Sequence, residues 1–128
     1  MNKNFLTIGA LFGALGVILG ALGAHQLKDH ISAYHLEIFE KGVHFQLFHA
    51  IALLCVGILS EKIQNKLINT AGWLMTAGVV FFSGSLYLLA TMEINGLDGM
   101  QKIIGPITPI GGLCFISGWL LFLISVRK

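Results

Sequence analysis

The chain has 128 residues, 55% of them hydrophobic and 11% charged, with a mean hydropathy of +0.83. A soluble domain carries about 25% charged residues, so this composition argues against a soluble enzyme and for an integral membrane protein of one domain. Eight Lys+Arg against six Asp+Glu leave a net charge of +2, and no basic, aromatic surface for nucleic acid is visible.

Four stretches suit a hydrocarbon core about 30 Å thick, which needs roughly 20 apolar residues. Phe5 to Ala24 is the first, 20 residues without a charge. Lys3 before it and the small residues of Ala21-Leu22-Gly23-Ala24 also fit a cleavable signal peptide, but the run is longer than the usual 7–15-residue core of such a peptide. The expectation is a retained span. From His25 to Gly42 the chain is polar, yet Leu27, Ile31, Tyr34 and Ile38 fall on one helical face. That pattern predicts an amphipathic helix lying in the interface over about residues 26–41, with an ordinary polar loop as the alternative. Val43 to Ser60 is the second span, Thr70 to Met92 the third and Pro106 to Val126 the fourth. Turn pairs Asn95-Gly96 and Asp98-Gly99 punctuate the last connector. The runs do not alternate in polarity as barrel strands would. The expected fold is therefore an all-α, integral membrane four-helix bundle, with spans at about 5–24, 43–60, 70–92 and 106–126 of a single domain, residues 1–128.

Charge sets the expected orientation. The two termini and the second connector hold Lys3, Lys62, Lys66, Arg127 and Lys128 against Glu61. The other two connectors hold Lys28, Lys41 and Lys102 against five acids. The rule that Lys and Arg stay inside predicts both termini in the cytoplasm of a plasma or inner membrane.

Gly9, Gly13, Gly16, Gly20 and Gly23 step along the first span by 4, 3, 4 and 3 residues. They form a stripe without side chains, where another helix can approach closely. The partner is open: another span of the chain or a second copy. Gly111, Cys114, Gly118 and Ser125 share a face in the fourth span, and Ala71, Gly78 and Ser85 do so in the third.

Polar groups inside spans are costly and are the first place to look for chemistry. Gln46 and His49 share a helical face with Ala50 and Gly57, while His44 points the opposite way. The competing explanation is interhelical hydrogen bonding, for instance to Ser83, Ser85 or Tyr87. Gly105-Pro106-Ile107-Thr108-Pro109 opens the fourth span, either as a defined helix entry with Thr108 as N-cap or as a broken entry lining a polar pocket. His25, Gln46, His49 and Thr108 are the candidate pocket residues. Five histidines lie at positions 25, 30, 35, 44 and 49, a spacing that does not align metal ligands on a helix, so no metal site is expected. Haem needs opposed axial ligands, and the third and fourth spans have no His, so no cofactor is expected. Cys55 and Cys114 form no C-x-x-C pair for redox work. No Asp or Glu lies within a span, which weakens a proton-coupled exporter. No catalytic constellation is present.

Gly23-Ala24-His25-Gln26-Leu27, Phe45-Gln46-Leu47-Phe48-His49-Ala50, Phe82-Ser83-Gly84-Ser85-Leu86-Tyr87 and Ile107-Thr108-Pro109-Ile110-Gly111-Gly112 occur in that order. In these motifs the chain resembles the YgdD/YwdK family of small bacterial membrane proteins, which is similar to the animal transmembrane protein 256. The resemblance implies a four-span protein of the plasma or inner membrane and implies no reaction. It carries His25, Gln46 and His49 over as shared positions. Where the family has Gln-Tyr-Gln before the second-span His, this chain has His44-Phe45-Gln46. The expected role is non-enzymatic: an accessory or lipid-interacting membrane protein, with membrane lipids, a second copy or another membrane protein as partners. The alternative is a small transporter or channel built around His25, Gln46 and His49.

Overall fold

A computed structural model describes residues 1–128, and every regular element is a helix. Helix α1 (Lys3–His25) starts where the Asn2 side chain accepts a hydrogen bond from the Asn4 amide. After a 3₁₀ turn at Leu27–Asp29, Ser32 accepts from the His35 amide and starts α2 (Ala33–Leu59). Asn65 accepts from the Ile68 amide to start α3 (Lys66–Gly78), which continues through a π-turn at Val79–Ser83 into α4 (Gly84–Ala90). Two short helices follow, α5 (Met92–Asn95) and α6 (Gln101–Ile104), and then α7 (Ile107–Arg127). Four helical segments are long and apolar enough to cross a membrane: Lys3–Asp29, Ala33–Leu59, Lys66–Ala90 and Gln101–Arg127. Gly96 and Gly99 take φ of +79° and +89° in the connector before α6, the left-handed turns that Asn-Gly and Asp-Gly announce.

The separate interfacial helix expected over 26–41 is not a separate element. Residues 33–41 are the opening turns of α2, because no residue after the Ser32 cap interrupts the helix. At 1.5 Å per residue α2 is about 40 Å long, more than the hydrocarbon thickness. The apolar side of those turns is covered by protein: Phe39 is buried against Val43 and Ala90, with Leu27 and Ile38 packed on the same cluster. Tyr34, predicted on that stripe, is exposed.

α1 and α2 form an antiparallel pair through the glycine stripe. Phe39 lies over Gly23, Val43 over Gly20, Leu47 over Gly16 and Leu54 over Gly9. The order descends along α1 as it ascends along α2, and dispersion across these close approaches holds the pair. Gly13 faces open space. α7 packs on α3 and the π-turn in the same manner. Gly78 sits under the Phe115 ring, Gly111 against the Phe82 backbone, and Gly118 against Met75 and the Ala71 carbonyl. A core of Phe5, Ala52, Leu53, Val56, Ile68 and Met75 joins the two pairs.

The termini and the α2–α3 connector meet at one end. The Asn2 amide donates to the Gly57 carbonyl and to Ser60 Oγ, and the Asn65 side chain donates to the Ser125 carbonyl. Lys3, Lys62, Lys66, Arg127 and Lys128 therefore cluster at that end.

Candidate functional site

The polar residues of the spans form ties between helices. Gln46 is 4% exposed on α2. Its Nε2 donates to the Phe12 carbonyl of α1 at 2.9 Å, and its Oε1 accepts from the Tyr87 hydroxyl of α4 at 2.6 Å. His49, one turn further on and also 4% exposed, reaches the other side. Trp119 Nε1 of α7 donates to His49 Nε2 at 2.9 Å, and His49 Nδ1 lies 2.7 Å from the Phe45 carbonyl. An indole N–H only donates, so Nε2 is the acceptor and the ring proton sits on Nδ1, which donates to Phe45. The imidazole stacks on Phe115, ring centroids 3.7 Å apart, and Phe45 and Phe82 complete the aromatic group. Ser83 of the π-turn donates to the Gly42 carbonyl of α2, and Ser85 of α4 shares a hydrogen bond with Thr108 of α7.

The four residues proposed for a polar pocket do not converge on one cavity. Gln46 and His49 are together on the buried face of α2, while His44 is exposed. His25 is exposed at the end of α1. Thr108 lies inside α7 rather than at its N-cap, which is Pro106, and the helix entry is continuous: the Thr108 amide donates to the Gly105 carbonyl. The five main surface hollows are lined by none of the four. Sequence reasoning missed Trp119. Its signal was available: an indole N–H buried in an apolar helix usually finds an acceptor, and here His49 of α2 is that acceptor.

These helices and ties define a polytopic membrane protein of the four-span helical class, braced from within by its own polar residues. Residues 19–112 match the family described as "Protein of unknown function (DUF423)". The UPF0382 membrane protein of Staphylococcus haemolyticus is 44% identical over 126 residues, 98% of this chain and 97% of that one. YwdK of Bacillus subtilis, also a UPF0382 membrane protein, is 40% identical over 127 residues, 98% of each chain. The chain belongs to this family of membrane proteins. No solved structure matches it.

Proposed function

We propose that the protein is a non-enzymatic, multi-pass component of the bacterial cell membrane, with both termini in the cytoplasm, that acts as an accessory or lipid-interacting element through its outer surface. The observation that carries this reading is the employment of its intramembrane polar groups. Gln46 and His49, the residues a transporter or enzyme would use, have all their ring and amide heteroatoms engaged within the chain. Every buried side-chain nitrogen and oxygen has a hydrogen-bond partner. Large apolar side chains such as Phe48, Ile51, Leu113 and Ile116 are turned outward, as a lipid-facing surface requires. The orientation rests on the five cations gathered at one end.

Two measurements test the reading. Protein purified in mild detergent is expected to retain lipid or a membrane-protein partner identifiable by mass spectrometry. Reconstituted into vesicles carrying a pH-sensitive dye inside, it is expected to pass no more protons than protein-free vesicles. Proton flux abolished by His49→Gln at unchanged membrane levels would overturn it in favour of a transporter.

A further inference from the structure

Two hollows of opposite character abut at the cationic end of the bundle. The first is an apolar groove of about 320 Å³ between α2 and α7, floored by Met75 of α3. Phe48, Ile51, Cys55, Leu59, Trp119 and Phe122 form its walls. The second is a polar hollow of about 370 Å³ lined by Lys62, Gln64, Asn65 and Lys128 among others. They meet across one helical turn. The Leu59 carbonyl at the end of the groove accepts from the amides of Lys62 and Ile63, which line the polar hollow. The Phe122 carbonyl accepts from the hydroxyl of Ser125, which lines it too.

We infer that the two hollows together form a binding site for one anionic phospholipid, an acyl chain lying in the groove and the phosphate headgroup between Lys62 and Lys128. This rests on the lipid-interacting reading above and names the lipid class and place. Length supports it. From Phe48 to Leu59 the groove follows α2 for about 16 Å at 1.5 Å per residue, about half of a 30 Å hydrocarbon core. One leaflet's acyl chain matches that length. Charge supports it as well. Lys62 and Lys128 line the headgroup end, Lys66 and Arg127 stand at the same end, and the acidic side chain nearest in sequence, Glu61, lies 3.9 Å from the Met1 ammonium. A zwitterionic headgroup would bring a cation into this field.

The test uses Trp119, which lines the groove and is 46% exposed. Trp73→Phe leaves it as the sole tryptophan. The full chain is reconstituted in phosphatidylcholine bilayers, and brominated phosphatidylglycerol or brominated phosphatidylcholine is titrated in while Trp119 fluorescence is read. Brominated phosphatidylglycerol is expected to quench at the lower mole fraction, by about fivefold for each lysine engaged. Lys62→Ala with Lys128→Ala is expected to remove the preference. Cys55→Phe, which fills the groove from an exposed position, is expected to remove it without changing the lysines. Equal quenching by the two lipids, or a preference that survives in the lysine variant, would overturn the headgroup site and leave the lipid-interacting reading standing. No quenching by either lipid would mean that Trp119 is covered by protein, and would overturn both.

Discussion

His49 holds its helix to α7 with the ring nitrogen that faces an indole, and the direction of that bond decides what a substitution does. Alanine at this position leaves the Trp119 N–H without its acceptor and removes a ring stacked on Phe115. An unsatisfied donor in apolar surroundings costs about 1–3 kcal/mol. His49→Ala is expected to lower stability by that amount in detergent thermal unfolding, while His44→Ala, on the exposed face, stays within about 0.5 kcal/mol. His49→Gln should recover much of the loss, because a side-chain carbonyl also accepts. Trp119→Phe combined with His49→Ala should cost less than the two single losses summed, since the donor that lacks a partner is gone. Tyr87→Phe takes the phenolic donor from Gln46 Oε1 and is expected to cost about 1 kcal/mol in the same assay. The helical wheel made the inward face of Gln46 and His49 legible, and Tyr87 stood among the partners it allowed. The pairing of His49 with Trp119 was not legible, because it joins positions 70 apart and depends on a crossing that no local pattern reports. The N-cap falls at Pro106, two residues before the position read for it at Thr108, and the Ser85 partner of Thr108 was not legible because it lies on another element.

Helix pairing in this bundle depends on where a missing side chain meets backbone rather than a movable side chain. A Cβ at Gly9 would stand 2.8 Å from the Ala50 carbonyl oxygen, and one at Gly111 would run into the Phe82 backbone. Neither obstacle can rotate away. Gly9→Ala and Gly111→Ala are expected to destabilise by about 1–3 kcal/mol, as overpacked cores do. Gly13→Ala meets open space and should be neutral or stabilising by up to about 1 kcal/mol through helix propensity. Thermal unfolding of the three variants checks the order, and equal tolerance of all three would show that the close packing described is absent in the membrane. The stripe itself was readable from its spacing, but its distribution over partners was not. The π-turn at Val79–Ser83 left no mark in the sequence pattern, since one extra residue per turn over five residues is too short to shift a periodicity. It nonetheless brings Ser83 onto Gly42 and Phe82 onto Gly111. The helix begun at Ser32 was read as two elements because its first turns are polar outside. Composition reported the membrane boundary there, and the backbone crosses that boundary without a break.

At the scale of the whole molecule, one end carries Lys3, Lys62, Lys66, Arg127 and Lys128, and the other carries the exposed acids Glu37, Glu40, Glu93 and Asp98. In a background without Cys55 and Cys114, Ser32→Cys is expected to react with an impermeant thiol reagent on intact cells, and Gln64→Cys is expected to react only after lysis. Reversed labelling would invert the molecule in the membrane. The brace between His49 and Trp119 also has a consequence for how the protein is made. The ribosome adds about 5–20 residues per second, so several seconds separate the synthesis of the imidazole from that of its indole, 70 positions later. Throughout that interval the newborn second span carries an acceptor nitrogen whose indole partner is not yet made, a cost to its residence in lipid. Chains interrupted before residue 107 are expected to linger at the translocon and to be degraded faster than full-length chains in a pulse-chase experiment, and His49→Leu, which removes the waiting nitrogen, should lengthen their lifetime.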